Sequence, residues 1–205
     1  MSVLRLYEDE NLSLIVSTDG DFTNPDEETA LDGTNGDSAQ KALWVAVEQT
    51  VLSSGIDGTQ TTITLAEPRF ADPDYPVIIV DSEKMLITAG HGTATLTVTR
   101  GYNNTSAASH SAGAVVRLAY DCSSNSIVCT DNQGTDESSW ITYCDDDGQG
   151  NPDGNWESPH LIPNLNHNQS VKIWRRLVVP AGTAAGYKQD LVHRLACTVN
   201  ETAMS

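Results

Sequence analysis

Basic residues are scarce in this chain. Eleven lysines and arginines stand against 28 aspartates and glutamates, and the formal net charge is −17. A surface of this sign repels a phosphate backbone and lacks the electrostatic attraction that supplies most non-specific DNA affinity. The composition therefore argues against a nucleic-acid partner.

Long apolar runs are absent as well. No run approaches the roughly 18 to 20 residues that are needed to cross a bilayer. The first residues, MSVLRLYEDENLSLIV, lack the basic segment and apolar core of a secretion signal. The sequence therefore predicts a protein that is made in the cytoplasm and has no membrane partner.

Signatures of catalysis and of structural zinc are missing too. The chain has no G-x-S-x-G motif, its five histidines are scattered, and the gaps between its four cysteines do not form paired C-x-x-C units. We therefore expect no enzyme activity and no required cofactor.

The sequence is rich in short apolar runs separated by Gly, Thr, Ser, Asn and Asp. Its hydrophobic content of 39% is enough for a real core. Apolar and polar residues alternate with period two, for example around Thr95, Thr97 and Thr99, as in half-buried strands. This pattern predicts an all-β fold. The residues predicted to face the core are Ile79, Met85, Ile87, Leu96, Val98, Val116 and Leu118.

The strand-like runs suggest two β-domains. Residues 1–50 and 120–205 each lack the strands to close a core, but together they supply about the seven strands of a sandwich. We therefore predict a discontinuous sandwich with a small β-domain, residues 51–119, inserted into it. The alternative is two consecutive domains with a boundary near residue 120.

The final run, DLVHRLACTV, places alternate residues on a single face. This pattern predicts a core-facing edge or closing strand. The residues on that face are Leu191, His193, Leu195, Cys197 and Val199.

Within residues 81–119 the pattern EKMLIT…LTVTRGYNNTSAASHSAGAVV carries a resemblance. It is similar to a small β-module of tailed-bacteriophage virion proteins, in which an acidic residue and a short strand lead to an LTVTRG-like run and an A-x-x-H-x-x-G-like turn. The resemblance implies a structural role in a tail, baseplate, neck or fibre. It implies no catalytic residues.

The carboxy-terminal run WRRLVVPAGTAAGYKQDLVHRLACTV, within residues 171–199, resembles the final hairpin of immunoglobulin-like modules. Pro180 and Gly182 suit its turn, because proline presets φ and glycine accepts φ values that other residues avoid. This second resemblance implies an immunoglobulin-like β-sandwich.

Residues 145–155, DDDGQGNPDGN, concentrate carboxylates around glycines. Calcium prefers six to eight oxygen ligands on a bent loop, and Asp145, Asp147 and Asp153 partly match that requirement. No glutamate stands at the twelfth position, which is Trp156. The loop is therefore either a calcium site or a solvated acidic turn.

Three residues are candidate interface anchors. Trp156 follows a polar loop, where burial in the chain's own core is less assured. Arg175 and Arg176 are adjacent cations in an acidic chain, and we expect one of them to meet carboxylates of a partner or of this chain. The alternative for the arginines is an outward position in water.

The cysteines allow a disulfide. A tight hairpin between NSIVCT and SSWITYC would set Cys122 opposite Cys144. Cys129 and Cys197 would then face inward and be unpaired or paired with each other. The alternative is four buried free thiols that pack as small apolar side chains.

Together these patterns predict a structural protein of a tailed-phage virion, made in the bacterial cytoplasm and assembled into the particle. Its partners would be copies of itself, as a symmetric homo-oligomer, and neighbouring virion proteins, bound through edge strands, loops and anchor side chains. The alternatives are a glycan-binding module of a tail fibre and a capsid decoration protein. A phage-encoded hydrolase is a third alternative, and it would need a cleft with paired carboxylates or a metal.

Overall fold

The computed structural model describes residues 3–18, 21–28, 30–186 and 188–203. Thirteen β-strands and one short 3-10 helix, Ser138–Trp140, lie in these ranges. The prediction of an all-β fold is confirmed. None of the helical structure in the described ranges is long and apolar enough to span a membrane.

The strands form three sheets, and all their pairings are antiparallel. The four-stranded sheet has the order β1 (Leu4–Tyr7), β2 (Asp37–Val47), β12 (Ser170–Val179), β10 (Ile141–Asp145). The three-stranded sheet has the order β11 (His160–Ile162), β9 (Tyr120–Asp131), β13 (Leu191–Glu201). The six-stranded sheet has the order β3 (Gln49–Val51), β8 (Val115–Leu118), β5 (Val77–Val80), β6 (Glu83–Ala89), β7 (Thr95–Thr99), β4 (Thr62–Thr64).

The core follows the period-two pattern of the sequence. In β7, Leu96 and Val98 are buried while Thr95, Thr97 and Thr99 are exposed. The other residues predicted to face the core in this region are buried as well. The alternation arises because successive side chains of a strand point to opposite faces of the sheet.

Two of the sheets form a sandwich. The four-stranded and three-stranded sheets contact each other at both sides, β1 against β13 and β10 against β9 and β11. Their seven strands come from residues 4–47 and 120–201, whereas the six-stranded sheet uses only residues 49–118. The buried apolar side chains of all three sheets form one continuous cluster. The division into separate domains therefore stays a prediction, although the sheets follow the predicted boundaries.

Polar contacts also tie the six-stranded sheet to the sandwich. Lys84 of β6 is buried and its Nζ lies 2.7 Å from a carboxylate oxygen of Glu201, at the end of β13. Asn103 Nδ2 donates to the same carboxylate at 2.6 Å. The end of β13 is thus fixed to the six-stranded sheet.

Two predicted hairpins are wrong. β12 and β13 do not form a closing hairpin, because both edges of β12 are already paired, one with β2 and the other with β10. β9 and β10 do not pair either, because β11 and β13 occupy both edges of β9. In each case the connecting segment crosses from one sheet to the other instead of turning back within a sheet.

Candidate functional site

The residues that resemble the virion module converge on Glu83. Its carboxylate is 1% exposed and accepts hydrogen bonds from Arg100, through Nε at 2.7 Å and Nη2 at 2.8 Å. The backbone N–H groups of Gly101 and Ala108 donate to it at 3.0 Å each. His110 Nε2 lies 2.9 Å from the same carboxylate. We call these five residues the Glu83 cluster.

The Glu83 cluster fixes the loops around β6. Arg100 Nη1 also donates to the carbonyl oxygens of Asp57 and Gln60, at 2.8 and 2.7 Å. His110 Nδ1 lies 2.7 Å from Asp81. Burial raises the pKa of the Glu83 carboxyl, but the hydrogen bonds from Arg100, Ala108 and His110 outweigh burial and lower the pKa to about 2. The buried Glu83 carboxylate is thus paired with the Arg100 guanidinium and with further hydrogen-bond donors, and the cluster acts as a structural centre for these loops.

A second buried cluster is centred on Asp26, in the acidic segment before β2. Arg175 holds both of its oxygens, with Nε at 2.8 Å and Nη2 at 2.7 Å, and also reaches Glu28 at 2.9 Å. His193 Nε2 and Lys41 Nζ each lie 3.0 Å from Asp26. Burial raises the pKa of Asp26, but His193 and Arg175 outweigh burial and hold the pKa well below its usual range. The segment around Asp26 is thereby fixed against both sheets of the sandwich.

Arg175 is therefore not an interface anchor. Its side chain is 1% exposed, since it lies on the inward face of β12 beside Ile173. A guanidinium in that position needs a buried carboxylate, and Asp26 supplies it. Arg175 therefore meets carboxylates of its own chain, which is one of the alternatives predicted for the two arginines.

Tyr143 extends the Asp26 cluster. Its hydroxyl lies 2.6 Å from Nδ1 of His193, whose other ring nitrogen faces Asp26. Tyr143 is fully buried, so this line of hydrogen bonds lies inside the sandwich. The sequence predicted that Arg175 or Arg176 would meet carboxylates of a partner or of this chain, but it identified neither Asp26 nor His193 as members of the cluster. Its one signal was an arginine at an inward strand position in a chain with acidic loops.

Trp156 and Arg176 lie on the outer side of the four-stranded sheet. The Arg176 guanidinium carbon is 4.5 Å from the centre of the Trp156 ring, which is cation–π geometry. Next to them, Lys172 lies 4.8 Å from the centre of the Trp174 ring and 5.9 Å from that of Trp44. We call these five residues the tryptophan–cation row. All five side chains are half-buried. The interface role of Trp156 and Arg176 stays a prediction.

The carboxylates of the acidic loop at 145–155 do not point toward one common site. Asp147 Oδ1 accepts from the N–H groups of Gln149 and Asn151 at 2.7 and 3.0 Å, and Asp153 Oδ1 accepts from the N–H of Asn155 at 2.9 Å. Asp145 lies 3.2 Å from His160 instead. Among the described residues no three His, Cys, Asp or Glu side chains are placed to hold a metal ion. The calcium site stays a prediction that this geometry does not support.

The predicted Cys122–Cys144 disulfide is wrong, because the two cysteines lie in different sheets. Cys144 is opposite Trp174, whereas Cys122 is opposite Val199. None of the four cysteines, all of which lie in the described ranges, forms a disulfide. Cys122 contacts the thiol of Cys197, and this contact and burial raise the pKa of Cys122. Burial also raises the pKa of Cys129 to about 12 and that of Cys144 to about 11, which keeps them protonated and weakly reactive.

The chain matches no protein-family model, no curated protein and no solved structure.

Proposed function

We propose that the protein is a structural component of a tailed-bacteriophage virion that acts by protein–protein assembly. The Glu83 cluster is the observation that carries the proposal. Its members are separated by up to 27 residues in sequence, yet they meet at one buried carboxylate. The convergence supports the resemblance, because the acidic residue, the LTVTRG-like run and the A-x-x-H-x-x-G-like turn each contribute a group to it. The position in the particle that fits the resemblance best is the tail, baseplate, neck or collar.

The rest of the molecule suits a scaffold. The two buried clusters, around Glu83 and Asp26, fix loops and strands through contacts within the chain. The net charge of −17 favours solubility before assembly. Four strands over three also suit an immunoglobulin-like sandwich, while the separation of β12 from β13 argues against that finer assignment.

The test is the protein content of purified particles. We expect mass spectrometry to detect this chain in intact virions in several copies, and to lose it when tails are removed. Retention on tail-free particles would assign it to the capsid as a decoration protein. Detection in infected-cell lysate alone, never in particles, would contradict the proposal.

A glycan-binding module is the second candidate, and the tryptophan–cation row favours it. Three half-buried tryptophans on one sheet face resemble a stacking platform for sugar rings. Lys172 and Arg176, however, already lie over those rings. If the candidate is right, host surface polysaccharide should change the tryptophan fluorescence of the protein, and Trp156→Ala should abolish that change. An unchanged spectrum in the presence of polysaccharide would leave assembly as the role of the row.

A further inference from the structure

Lys84 is the most deeply buried lysine of the chain. All four lysines lie in the described ranges, and the side chains of the other three are 25–28% exposed, whereas that of Lys84 is 4% exposed. On β6 it lies between Glu83 and Met85, and its side chain points to the opposite face, toward the end of β13. Its Nζ contacts the Glu201 carboxylate and the carbonyl oxygen of Thr202. The amine is thus held in a fixed place with little access for water.

The carboxamide of Asn103 bonds to the same carboxylate oxygen. Asn103 Nδ2 donates to Oε1 of Glu201 at 2.6 Å, and Lys84 Nζ lies 2.7 Å from that atom. A primary amine and a primary amide are therefore neighbours across one oxygen atom.

The loop after β7 holds Asn103 beside Lys84. The Tyr102 N–H donates to the Lys84 carbonyl oxygen at 2.8 Å, and the Lys84 N–H donates to Thr105 Oγ1 at 3.1 Å. Asn103 has a φ of 49°, in the left-handed region that asparagine tolerates better than most residues. The loop is thus anchored to β6 on both sides of Asn103.

Glu201 occupies the place that a proton carrier needs for transfer of an acyl group from an amide to an amine. In that reaction the attacking nitrogen must lose protons, and the leaving nitrogen must gain them. The Glu201 oxygen contacts both of these nitrogens. Holding two reacting groups side by side also replaces a bimolecular encounter, and well-oriented intramolecular reactions reach effective molarities of about 10⁵–10⁸ M.

We propose that Lys84 and Asn103 form an intramolecular isopeptide bond, with Glu201 as the proton carrier. Lys84 Nζ attacks Cγ of Asn103, the Nζ–Cγ bond forms and the Cγ–Nδ2 bond breaks. Two protons pass from Nζ to Nδ2 by way of the Glu201 carboxylate, and the nitrogen of the amide leaves as an ammonium ion. The step conserves charge and needs no oxidant or other co-reactant. Asn103 is exposed, so the ammonium ion has a path to solvent.

The cross-link closes a covalent loop from Lys84 to Asn103. This loop contains β7 and the Arg100 and Gly101 groups that donate to Glu83. A closed loop restricts the unfolded chain, and this restriction favours the folded state. The reaction is a property of the folded chain alone, so it does not depend on the proposed virion role.

The test is the intact mass of the purified full-length chain under denaturing conditions. We expect a deficit of one ammonia molecule relative to the sequence, in the fresh protein or after incubation of the folded protein. After tryptic digestion, the peptides that contain Lys84 and Asn103 should be recovered as one linked species. Cleavage after Lys84 should be lost, because trypsin does not cleave after an acylated lysine.

Three variants remove one participant each. Lys84→Arg keeps a cation opposite Glu201, but a guanidinium stays protonated and does not attack. Asn103→Ala removes the carbon that is attacked, and both variants should have the full mass of their sequences. Glu201→Gln removes the proton carrier and should slow cross-linking at least about a hundredfold.

Asn104→Ala is the matched control, since Asn104 is also exposed and also has a positive φ, 63°. It should keep both the mass deficit and the linkage. Melting curves check that each variant is folded, and the linked wild type should melt at a higher temperature than Asn103→Ala.

A wild-type chain that keeps its full mass after prolonged incubation in the folded state would overturn the proposal. A deficit of ammonia without a Lys84–Asn103 linkage would also overturn it, because an asparagine that cyclises onto its own backbone releases ammonia too. Loss of one water molecule, with an amide between Lys84 and Glu201, would reject the role of Asn103. None of these outcomes bears on the presence of the chain in virions, which the particle analysis tests separately.

Discussion

Arg175 and Asp26, 149 residues apart in sequence, form a two-pronged ion pair at 2.8 and 2.7 Å. Both side chains are almost completely buried. The pair joins β12 to the acidic segment before β2, and His193 adds a contact from β13 in the opposite sheet. The acidic segment before β2 is thus a fixed part of the sandwich.

Removing one charge from this ion pair should lower the free energy of unfolding. Asp26→Asn leaves the buried Arg175 guanidinium without its main counter-charge, and breaking a buried pair in this way costs about 3–5 kcal/mol. We expect a loss of this size in the free energy of unfolding, measured by urea denaturation. Asp32→Asn is the control, since Asp32 is exposed and caps its own turn. Equal stability of Asp26→Asn and wild type would show that the cluster contributes nothing.

Stability should fall in acid partly through Glu83. The ordinary carboxyl pKa of 4.5 falls to about 2 in the folded chain, so the folded state holds this proton less tightly than the unfolded state does. The resulting stability is present above about pH 4.5 and is lost as pH falls toward about 2.

Glu83→Gln should therefore lower the melting temperature at pH 7 and flatten its decrease between these pH values. Glu67→Gln, at an exposed position, is the matched control and should follow the wild-type curve. A Glu83→Gln profile parallel to that of the wild type would mean that this carboxyl does not titrate as described.

Local patterns predicted the strands well, because side-chain alternation depends only on the nearest neighbours in sequence. The burial of Leu96 and Val98, and the outward threonines between them, follow from period two alone. Partner strands were harder to predict. β12 and β13 are joined by a turn-like V-P-A-G-T segment, yet each pairs with a strand that is distant in sequence. Local sequence patterns do not indicate which distant strand a given strand will pair with.

The Glu83 and Asp26 clusters were also hard to predict, because they join residues that are distant in sequence. The Glu83 cluster was visible only as a resemblance, and its chemistry required the fold to bring Arg100 and His110 to one carboxylate. The Asp26 cluster was predicted only in part: one arginine was expected to meet carboxylates of a partner or of this chain, but neither Asp26 nor the inward position of Arg175 was identified. An inward arginine on a predicted strand is the signal that could have found it.

Oxidation should link Cys122 to Cys197. The two cysteines lie on the neighbouring strands β9 and β13, with Cys122 opposite Val199 and next to the thiol of Cys197. After treatment with a diazene oxidant, which takes up the two thiol hydrogens, peptide mapping should recover a Cys122–Cys197 linkage. The reaction should be slow, because the raised pKa of Cys122 leaves little thiolate. Cys144→Ser should leave the linkage intact and Cys197→Ser should abolish it. A Cys122–Cys144 linkage would contradict the observed strand pairing.

Calcium should leave the melting temperature unchanged. A ligand that binds only the folded state raises stability by mass action, and calcium would need several carboxylates aimed at one point. Asp147 and Asp153 are instead turned toward backbone N–H groups of their own turns, which satisfy the same oxygens that an ion would use. In differential scanning calorimetry, the wild type should therefore give the same melting curve with calcium as with chelator. The double variant Asp147→Asn with Asp153→Asn should likewise give the same curve in both conditions. A melting temperature that rises with calcium in the wild type, but not in the double variant, would restore the calcium interpretation of this loop.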